Sequence, residues 1–193
     1  MDKREEFKKY GLYDRRFEHD ACGVGFVCNI RGERANDIVR QGLSVLSRLS
    51  HRGATGADPK TGDGAGILIQ IPHEFFVRVC SKIKIDLPAP GEYGTGLVFL
   101  PTEERERNFC KNIFSKESKR QGLEILGWRS VPVDNSDIGK AARNSQPVIE
   151  QVFIAASSEI KLYVLRKIIE NAVRASRIKQ KRYFYIKIGR AHV

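Results

Sequence analysis

A cysteine at the front of an apolar, glycine-spaced run, Cys22 in CGVGFVCNI, is the residue most suited to covalent chemistry. If the preceding 21 residues are removed, Cys22 carries a free α-amine. Such an amine has a pKa of about 7.7–8.0, so it can act as a base near neutral pH. Nucleophile and base would then share one residue, and Gly23 would leave room for a substrate to approach. A lone cysteine can equally be a small buried hydrophobe, and the residues alone leave both interpretations open.

A second candidate is the segment HRGATGADPKTGDGAG, which has five glycines between Gly53 and Gly66. It fits neither GxxxxGK[ST] nor a GxGxxG between strand and helix, which argues against a nucleotide site. One interpretation is a set of tight backbone turns between a helix and a strand. The other is a close approach of backbone to a ligand or catalytic group, with charge supplied by Arg52 and by Asp58 or Asp63.

The net charge of +11 suggests a basic nucleic-acid-binding module as an alternative class of function. Residues 161–193 hold ten Lys/Arg and a single acid, Glu170, so this segment carries +9 and the rest of the chain +2. The body of the domain is therefore nearly balanced, and we predict no nucleic-acid partner.

The cysteines and the hydropathy pattern narrow the class further. None of the four cysteines forms a CxxC pair, so we predict free thiols and no metal site. No apolar run approaches the roughly 18 residues of a membrane span. The first 21 residues lack an apolar signal core and include acids, so we predict a cytoplasmic protein without a membrane partner.

Hydrophobic periodicity predicts the elements that must position these residues. Strands are predicted at 22–30, 67–71, 94–101, 123–133 and 147–155, with a last one beginning at 182–186, and helices at 37–49, 73–83 and 160–178. Asn36 or Asp37 is predicted to cap the first helix, and Thr102 to cap another. Residues 134–147 are predicted to be a polar loop. Because strands and helices mix without strict βαβ alternation, the fold class is predicted to be α+β.

Several long motifs in order also resemble one family. FEHDACGVGFVCNI, LSHRGATGADPKTGDGAGILIQIPHEFF, PGEYGTGLVFLP, LEILGWRSVPVDNSDIG and EQVFI resemble the start of glutamate synthase large subunits, a class II glutamine amidotransferase domain of the N-terminal-nucleophile type. The resemblance runs from about Tyr13 to Ile186. It implies a four-layer αββα sandwich and a propeptide, residues 1–21, whose removal leaves Cys22 first.

The resemblance also implies a reaction. Cys22 would attack the side-chain amide of L-glutamine, release ammonia and form a glutamyl thioester that water hydrolyses. Arg52 would supply orientation and charge near the thiol. This domain would carry no cofactor; elsewhere in the complete enzyme, ammonia would aminate 2-oxoglutarate at FMN with electrons from an iron–sulfur cluster. The implied partners are the rest of the large subunit, and a small subunit or ferredoxin. Another ammonia-channelling amidotransferase is the alternative, which the segment TGDGAGILIQIPHEFF disfavours.

The resemblance stops near the end of the chain. Family members continue with a Ser-Arg-Thr segment, an Asn-Gly oxyanion pair and an aspartate, none of which can be assigned here. Residues 22–186 are therefore interpreted as a partial domain. The remaining residues, 187–193, include IGRAHV, which a sequencing adapter encodes in this frame, so they are interpreted as a non-native tail. Because losing one oxyanion donor costs about 10²–10³ in rate, we expect little glutaminase activity from these 193 residues alone.

Overall fold

The computed structural model describes residues 23–50, 58, 60–62 and 64–190. The chain divides into two compact units, of which the first comprises residues 1–56 and 62–67, and the second residues 57–61 and 68–193. The elements in chain order are α1 (Asn36–Arg48), α2 (His73–Ser81), β1 (Tyr93–Leu100), α3 (Glu104–Arg120), β2 (Glu124–Ser130), α4 (Lys140–Asn144), β3 (Val148–Ala155), α5 (Glu159–Ala175), a 3₁₀ turn (Lys181–Tyr183) and β4 (Tyr185–Arg190).

The second unit contains an antiparallel sheet with the strand order β2-β3-β1-β4. In the central pair, Tyr93 lies opposite Ala155 and Leu100 opposite Val148. β4 continues through Arg190, which lies opposite Gly94. Because neighbouring strands are antiparallel, side chains alternate between the two faces of the sheet along each strand.

Helices α3 and α5 pack on one face of this sheet. Apolar side chains of α5 recur every three or four residues and are 1% exposed or less; they are Leu162, Leu165, Ile169 and Val173. They join Val98 and Val152 from the sheet and Phe114 from α3 in one buried cluster. Ser158 caps α5 by accepting the backbone N–H of Lys161. This spacing places one apolar stripe of the helix against the sheet.

Helix α2 packs on the opposite face of the sheet. Its Phe76 and Cys80 are buried against Tyr93 and Phe153, and the rings of Phe76 and Phe153 meet edge to face with centroids 5.3 Å apart. Further along the same face, Leu97 is 37% exposed. The described residues therefore cover the face under α3 and α5 more completely than the face under α2.

The described residues of the first unit are an irregular segment at 23–35, helix α1, the two residues 49 and 50 that follow it, and residues 62 and 64–67. A turn at Asn29 is closed by hydrogen bonds from the backbone N–H of Arg31 to its side-chain oxygen and of Gly32 to its carbonyl. Gly32 has a φ of +72°, a conformation that glycine adopts at little cost.

The α+β class is confirmed, and so are the predicted helices at 37–49, 73–83 and 160–178 and the strands at 94–101, 123–133 and 147–155, with ends shifted by a few residues. The last strand is also confirmed. The loop predicted for 134–147 contains the short helix α4, which was not predicted.

Two predicted strands are wrong. Residues 23–30 and 67–71 form no strand, although both are apolar. Val24 and Phe26 are each 88% exposed and Leu68 is 83% exposed, so the segments are not buried either. A strand exists only where a neighbouring strand accepts its backbone hydrogen bonds, and neither segment has such a neighbour among the described residues.

The two predicted helix caps are also wrong. Ala35 occupies the N-cap of α1, and Asn36 instead accepts a hydrogen bond from Arg40 Nε at 3.0 Å. Glu103 occupies the N-cap of α3. The hydroxyl of Thr102 is 3.1 Å from Gln180 Oε1, so it bonds to a distant side chain rather than capping the helix.

Candidate functional site

Some of the predicted site residues are among those that the structure describes, and others are not. Cys22, Arg52 and Asp63 lie outside the described residues. Gly23 is described and exposed, in the irregular segment that follows Cys22. Asp58 is described and half-buried. The structure therefore shows the backbone that follows the proposed nucleophile and part of the glycine-rich segment, including Asp58.

The segment after Cys22 passes close to helix α1 at Gly25. A β-carbon at Gly25 would lie 2.6 Å from Cγ1 of Val45, which real β-carbons essentially never approach. On either side, the side chains of Val24 and Phe26 are exposed. The second glycine of the CGVG motif is therefore required for contact between this segment and α1.

The middle of the glycine-rich segment forms a turn built on Asp58, Lys60 and Thr61, which we call the Asp58 turn. One carboxylate oxygen of Asp58 accepts the backbone N–H of Lys60 at 3.1 Å, and the other accepts the hydroxyl of Thr61 at 2.9 Å. The backbone N–H of Thr61 donates to the carbonyl of Asp58 at 2.9 Å. These bonds define a compact turn.

The Asp58 turn is joined to the start of helix α4, about eighty positions later in the chain. The backbone N–H of Gly139 donates to the carbonyl of Lys60 at 3.1 Å, and that of Ala141 to Oδ2 of Asp58 at 3.4 Å. Nζ of Lys60 also lies 2.9 Å from Oδ1 of Asp137. Glycine is needed at 139, because a β-carbon there would collide with the Asp58 carboxylate and the Thr61 hydroxyl.

The hydrogen bonds set the charge state of this turn. The N–H of Lys60 and the hydroxyl of Thr61 lower the pKa of Asp58 below its ordinary value, because both donate to the charged form. The neighbouring Asp137 carboxylate raises the pKa of Lys60, and Lys60 lowers that of Asp137. At neutral pH the turn therefore carries a fixed anion at Asp58, held by neutral donors.

The described cysteines differ sharply in accessibility. Cys80 and Cys110 are fully buried, whereas Cys28 is exposed. Burial raises the pKa of the Cys80 thiol. Burial, and to a lesser extent the negative charge of Glu106, raises the pKa of the Cys110 thiol to about 11. Because the thiolate is the nucleophilic form, Cys80 and Cys110 are unsuited to nucleophilic catalysis at neutral pH.

A partly buried polar pair joins the first residue of helix α2 to strand β1. Nδ1 of His73 is 3.1 Å from the hydroxyl of Tyr93, which is 1% exposed. Burial raises the pKa of Tyr93 to about 12, so its hydroxyl stays protonated at neutral pH. The pair satisfies a polar group that would otherwise be orphaned in the core, and it anchors the first residue of α2 to the sheet.

Two further kinds of feature are absent from the described residues. No group of three or more His, Cys, Asp and Glu side chains there could hold a metal ion. None of the helices described is both long and apolar enough to cross a membrane.

From the sequence, Asp58 was only one of two acids that could supply charge, and its partners at 139–141 were not predicted. The one local signal was Gly139, a glycine directly before α4 in the segment DIGKAA. Nothing in the sequence links residue 58 to residue 139, since the contact is made only through folding.

The chain matches the family model described as Glutamine amidotransferases class-II over residues 22–190. It is 46% identical over 172 residues to the glutamate synthase [NADPH] large chain of Bacillus subtilis, covering 85% of this chain and 11% of that protein.

Two further relatives come from eukaryotes. Identity is 39% over 173 residues to the glutamate synthase [NADH] of Schizosaccharomyces pombe, covering 83% of this chain and 8% of the relative. Identity is 37% over 174 residues to the chloroplastic ferredoxin-dependent glutamate synthase of Oryza sativa, covering 86% and 11%. The chain thus spans about a tenth of the length of the curated relatives it matches.

Proposed function

The chain belongs to the class II glutamine amidotransferase family, and from this we propose that its residues 22–186 are part of a glutaminase domain in which Cys22 is the nucleophile that attacks the side-chain amide of L-glutamine. The activity is proposed for the complete domain, and these 193 residues alone are expected to show little of it. The observation that carries the proposal is the family match, which begins at Cys22 itself. Two of the other three thiols are unsuited to the role, because Cys80 and Cys110 are buried and their pKa values are raised. The third, Cys28, is exposed and serves as the control in the test below. Removal of residues 1–21 as a propeptide is part of the same proposal.

In the proposed reaction Cys22 has two roles: its thiol is the nucleophile and its α-amine is the base. The α-amine of Cys22 takes the thiol proton as the sulfur adds to the side-chain amide carbon of glutamine. The protonated amine then returns a proton to the leaving nitrogen, and ammonia departs as the glutamyl thioester forms. Water adds to the thioester, glutamate leaves and the thiol is regenerated. Arg52 orients the thiol and favours its charged form through an opposite charge, and Gly23 leaves room for the substrate.

We further propose that the ammonia serves glutamate synthesis in the complete protein. The relatives are named as glutamate synthases that depend on NADPH, NADH or ferredoxin. Reductive amination of 2-oxoglutarate consumes ammonia and an electron pair. In the complete protein, FMN and an iron–sulfur cluster bound outside these residues would supply the electrons. The described residues do not fit an iron–sulfur centre, since Cys80 and Cys110 lie in two different groups of buried side chains, on opposite faces of the sheet. The rest of the large subunit, and a small subunit or ferredoxin, are the proposed partners.

The same family membership leads us to propose the four-layer αββα sandwich. The sheet of the second unit carries α3 and α5 on one face. On its other face α2 packs against Tyr93 and Phe153, while Leu97 remains 37% exposed. A second sheet stacked on this face would bury the apolar side chains left exposed, as sheets do in sandwiches.

The proposal is tested on the gene product that contains this domain. Intact mass and N-terminal sequencing should show Cys22 as the first residue. A glutamine-mimicking diazo ketone should then add one equivalent, on the Cys22 peptide, with loss of glutaminase activity. Cys22→Ser should abolish both labelling and activity, whereas Cys28→Ser, the matched exposed cysteine, should retain both. An active enzyme that still carries residues ahead of Cys22 would overturn the amine-as-base mechanism.

A further inference from the structure

We propose that the complete protein docks an acidic segment from outside residues 1–193 into a basic groove between the start of α3 and the segment that follows α5. This inference rests on the part of the proposed function that places the domain in a longer protein. The groove lies wholly within the second unit.

The groove has a volume of about 1020 Å³ and lies between the first half of α3 and residues 177–179. Its two walls are joined by Glu106 of α3, whose carboxylate accepts the backbone N–H of Lys179 at 2.8 Å. Ile178, between the two cations of the second wall, packs against the buried cluster that α3 and α5 share. Both walls are therefore held in place by contacts within the second unit.

The groove exposes an aromatic ring. Phe109 of α3 lines it and is 42% exposed, although the next residue, Cys110, is fully buried. Asn108 and Asn112 also line the groove, and their amides can both donate and accept hydrogen bonds. Protein interfaces are enriched in aromatic side chains with polar groups around them, so this wall has the composition of a docking surface for a polypeptide.

The wall that follows α5 is strongly basic. Five cations occur within nine positions; they are Arg174, Arg177, Lys179, Lys181 and Arg182. No acid follows Glu170 in the sequence, and Glu170 is already paired with Arg166 at 2.7 Å. None of the ion pairs among the described residues involves Arg174, Arg177 or Lys179. This wall therefore presents positive charge that the described part of the chain does not neutralise.

The charges favour an acidic polypeptide as the occupant. Arg105 of α3 lines the groove together with Arg177 and Lys179, and carboxylates of a partner can form charge-assisted hydrogen bonds with all three. Glu103 and Glu104 line it as well. These acids repel the closely spaced phosphates of a nucleic acid, whereas a polypeptide can turn backbone N–H donors toward them. A second copy of the chain fits less well, because it carries a net charge of +11.

The source of the acidic segment is the remainder of the same polypeptide. The chain spans about a tenth of the length of the curated relatives it matches. Exposed ion pairs each contribute little free energy, so a separate partner would bind this open groove weakly. A tethered segment has an effective concentration of about millimolar, and at that concentration a weak contact stays occupied.

The test is crosslinking of the complete gene product with a water-soluble carbodiimide, which joins an amine to a carboxylate only when the two are in direct contact. Peptide mass spectrometry should find Lys179 joined to an Asp or Glu outside residues 1–193. Lys116, an exposed lysine of α3 outside the groove, is the control and should form no such link. The link should be lost at 1 M salt, because the Debye length falls from about 10 Å at 0.1 M to about 3 Å.

Charge reversal at the other two cations tests the contact while keeping Lys179 as the reporter. Arg105→Glu combined with Arg177→Glu should abolish the link at Lys179, because the partner's carboxylates are then repelled. Lys116→Glu combined with Lys119→Glu changes the net charge equally on exposed positions of α3 outside the groove, and it should keep the link. Phe109→Ala should reduce the yield of the link by removing the apolar contact.

The outcomes keep the two proposals apart. If the diazo ketone does not label Cys22 in the wild type, the proposed function fails, and the crosslink still reports on docking by itself. The docking inference alone is overturned if Cys22 is labelled but Lys179 joins only acids within residues 1–193, joins nothing, or is matched in yield by Lys116.

Three further results would replace the proposed occupant and so overturn the inference. Links between isotope-labelled and unlabelled copies would identify a second copy, and a link to a separate polypeptide would identify another subunit. A gel shift of a DNA duplex that the Arg105→Glu, Arg177→Glu protein loses, with no link at Lys179, would identify a nucleic acid. The wild-type crosslink decides between these occupants even if a variant does not fold.

Discussion

The side chains of Glu106 and Gln180, 74 positions apart in the chain, each accept backbone N–H groups from the segment that contains the other. The Glu106 carboxylate accepts the N–H of Gln180 at 2.9 Å and that of Lys179 at 2.8 Å. In return, the side-chain oxygen of Gln180 accepts the N–H of Thr102 at 2.9 Å and of Glu103 at 3.2 Å. These donors lie at the free N-terminal end of α3, so a distant amide supplies the cap that the local sequence does not.

Loss of the Glu106 carboxylate should therefore destabilise the second unit. Glu106 is 8% exposed and accepts two backbone N–H groups, and Glu106→Ala leaves both donors unpaired at a cost of about 2–3 kcal/mol in the free energy of unfolding. Glu104→Ala, an exposed acid in the same first turn, should cost only about 0.5 kcal/mol. Urea denaturation of both variants checks this, and equal costs would contradict it.

Two glycine substitutions should shift stability in opposite directions. At Gly96 in β1, a β-carbon would lie 2.7 Å from Cβ of Ile188 and from the carbonyl oxygen of Lys187 in the paired strand. Gly96→Ala should therefore strain the pairing of β1 with β4 and destabilise by about 1–3 kcal/mol.

Gly42 in α1 is the matched site with open space around it. Gly42→Ala should stabilise by about 0.5–1 kcal/mol, because alanine loses less entropy in a helix. Thermal unfolding of the two alanine variants beside the wild type gives both signs in one experiment. A destabilised Gly42→Ala would show that the described packing around α1 is wrong.

Thiol labelling should separate the described cysteines by burial. At pH 8, iodoacetamide should modify the exposed Cys28 in the native protein and leave Cys80 and Cys110 unmodified. Burial raises the pKa of Cys80, and it raises that of Cys110 to about 11, so neither supplies accessible thiolate. Peptide mass spectrometry before and after unfolding in urea measures this. Native labelling of Cys110 as fast as Cys28 would contradict the assigned core.

Acid should weaken the Asp58 turn. The pKa of Asp58 is lowered in the folded protein by the N–H of Lys60 and the hydroxyl of Thr61. A lowered pKa contributes stability that is present above the unfolded value, which is 3.8 for this group, and that is lost as the pH falls through the folded value. The stability difference between wild type and Asp58→Asn should therefore be constant from pH 7 to about 5 and shrink below that range.

The neighbouring ion pair titrates in the same acidic range, since Lys60 lowers the pKa of Asp137. The comparison is therefore made in an Asp137→Asn background, which removes that contribution from both proteins. Urea denaturation at each pH provides the free energies of unfolding. A difference that does not change between pH 7 and pH 3 would show that the Asp58 carboxylate does not stabilise the turn through its charge.

The sequence predicted what depends on neighbours within a few positions. The stripe of Leu162, Leu165 and Ile169 is enough to place a helix and its buried face, because side chains three and four apart share one side of a helix. The short apolar runs LVFL in β1 and VFIA in β3 were likewise sufficient to predict strands. Cys22 and Arg52 also came from the sequence, through a pattern of residue types and a family likeness, and their roles stay predictions.

What the sequence could not decide were the partners between distant parts of the chain. The apolar run at 23–30 is as strand-like as that of β1, yet only β1 has neighbours on both sides. Distant partners likewise supply the cap of α3, through Gln180, and the close contact between Asp58 and Gly139. A strand, a cap or a loop anchor is complete only when a second backbone supplies its hydrogen bonds, and folding alone brings that backbone into place.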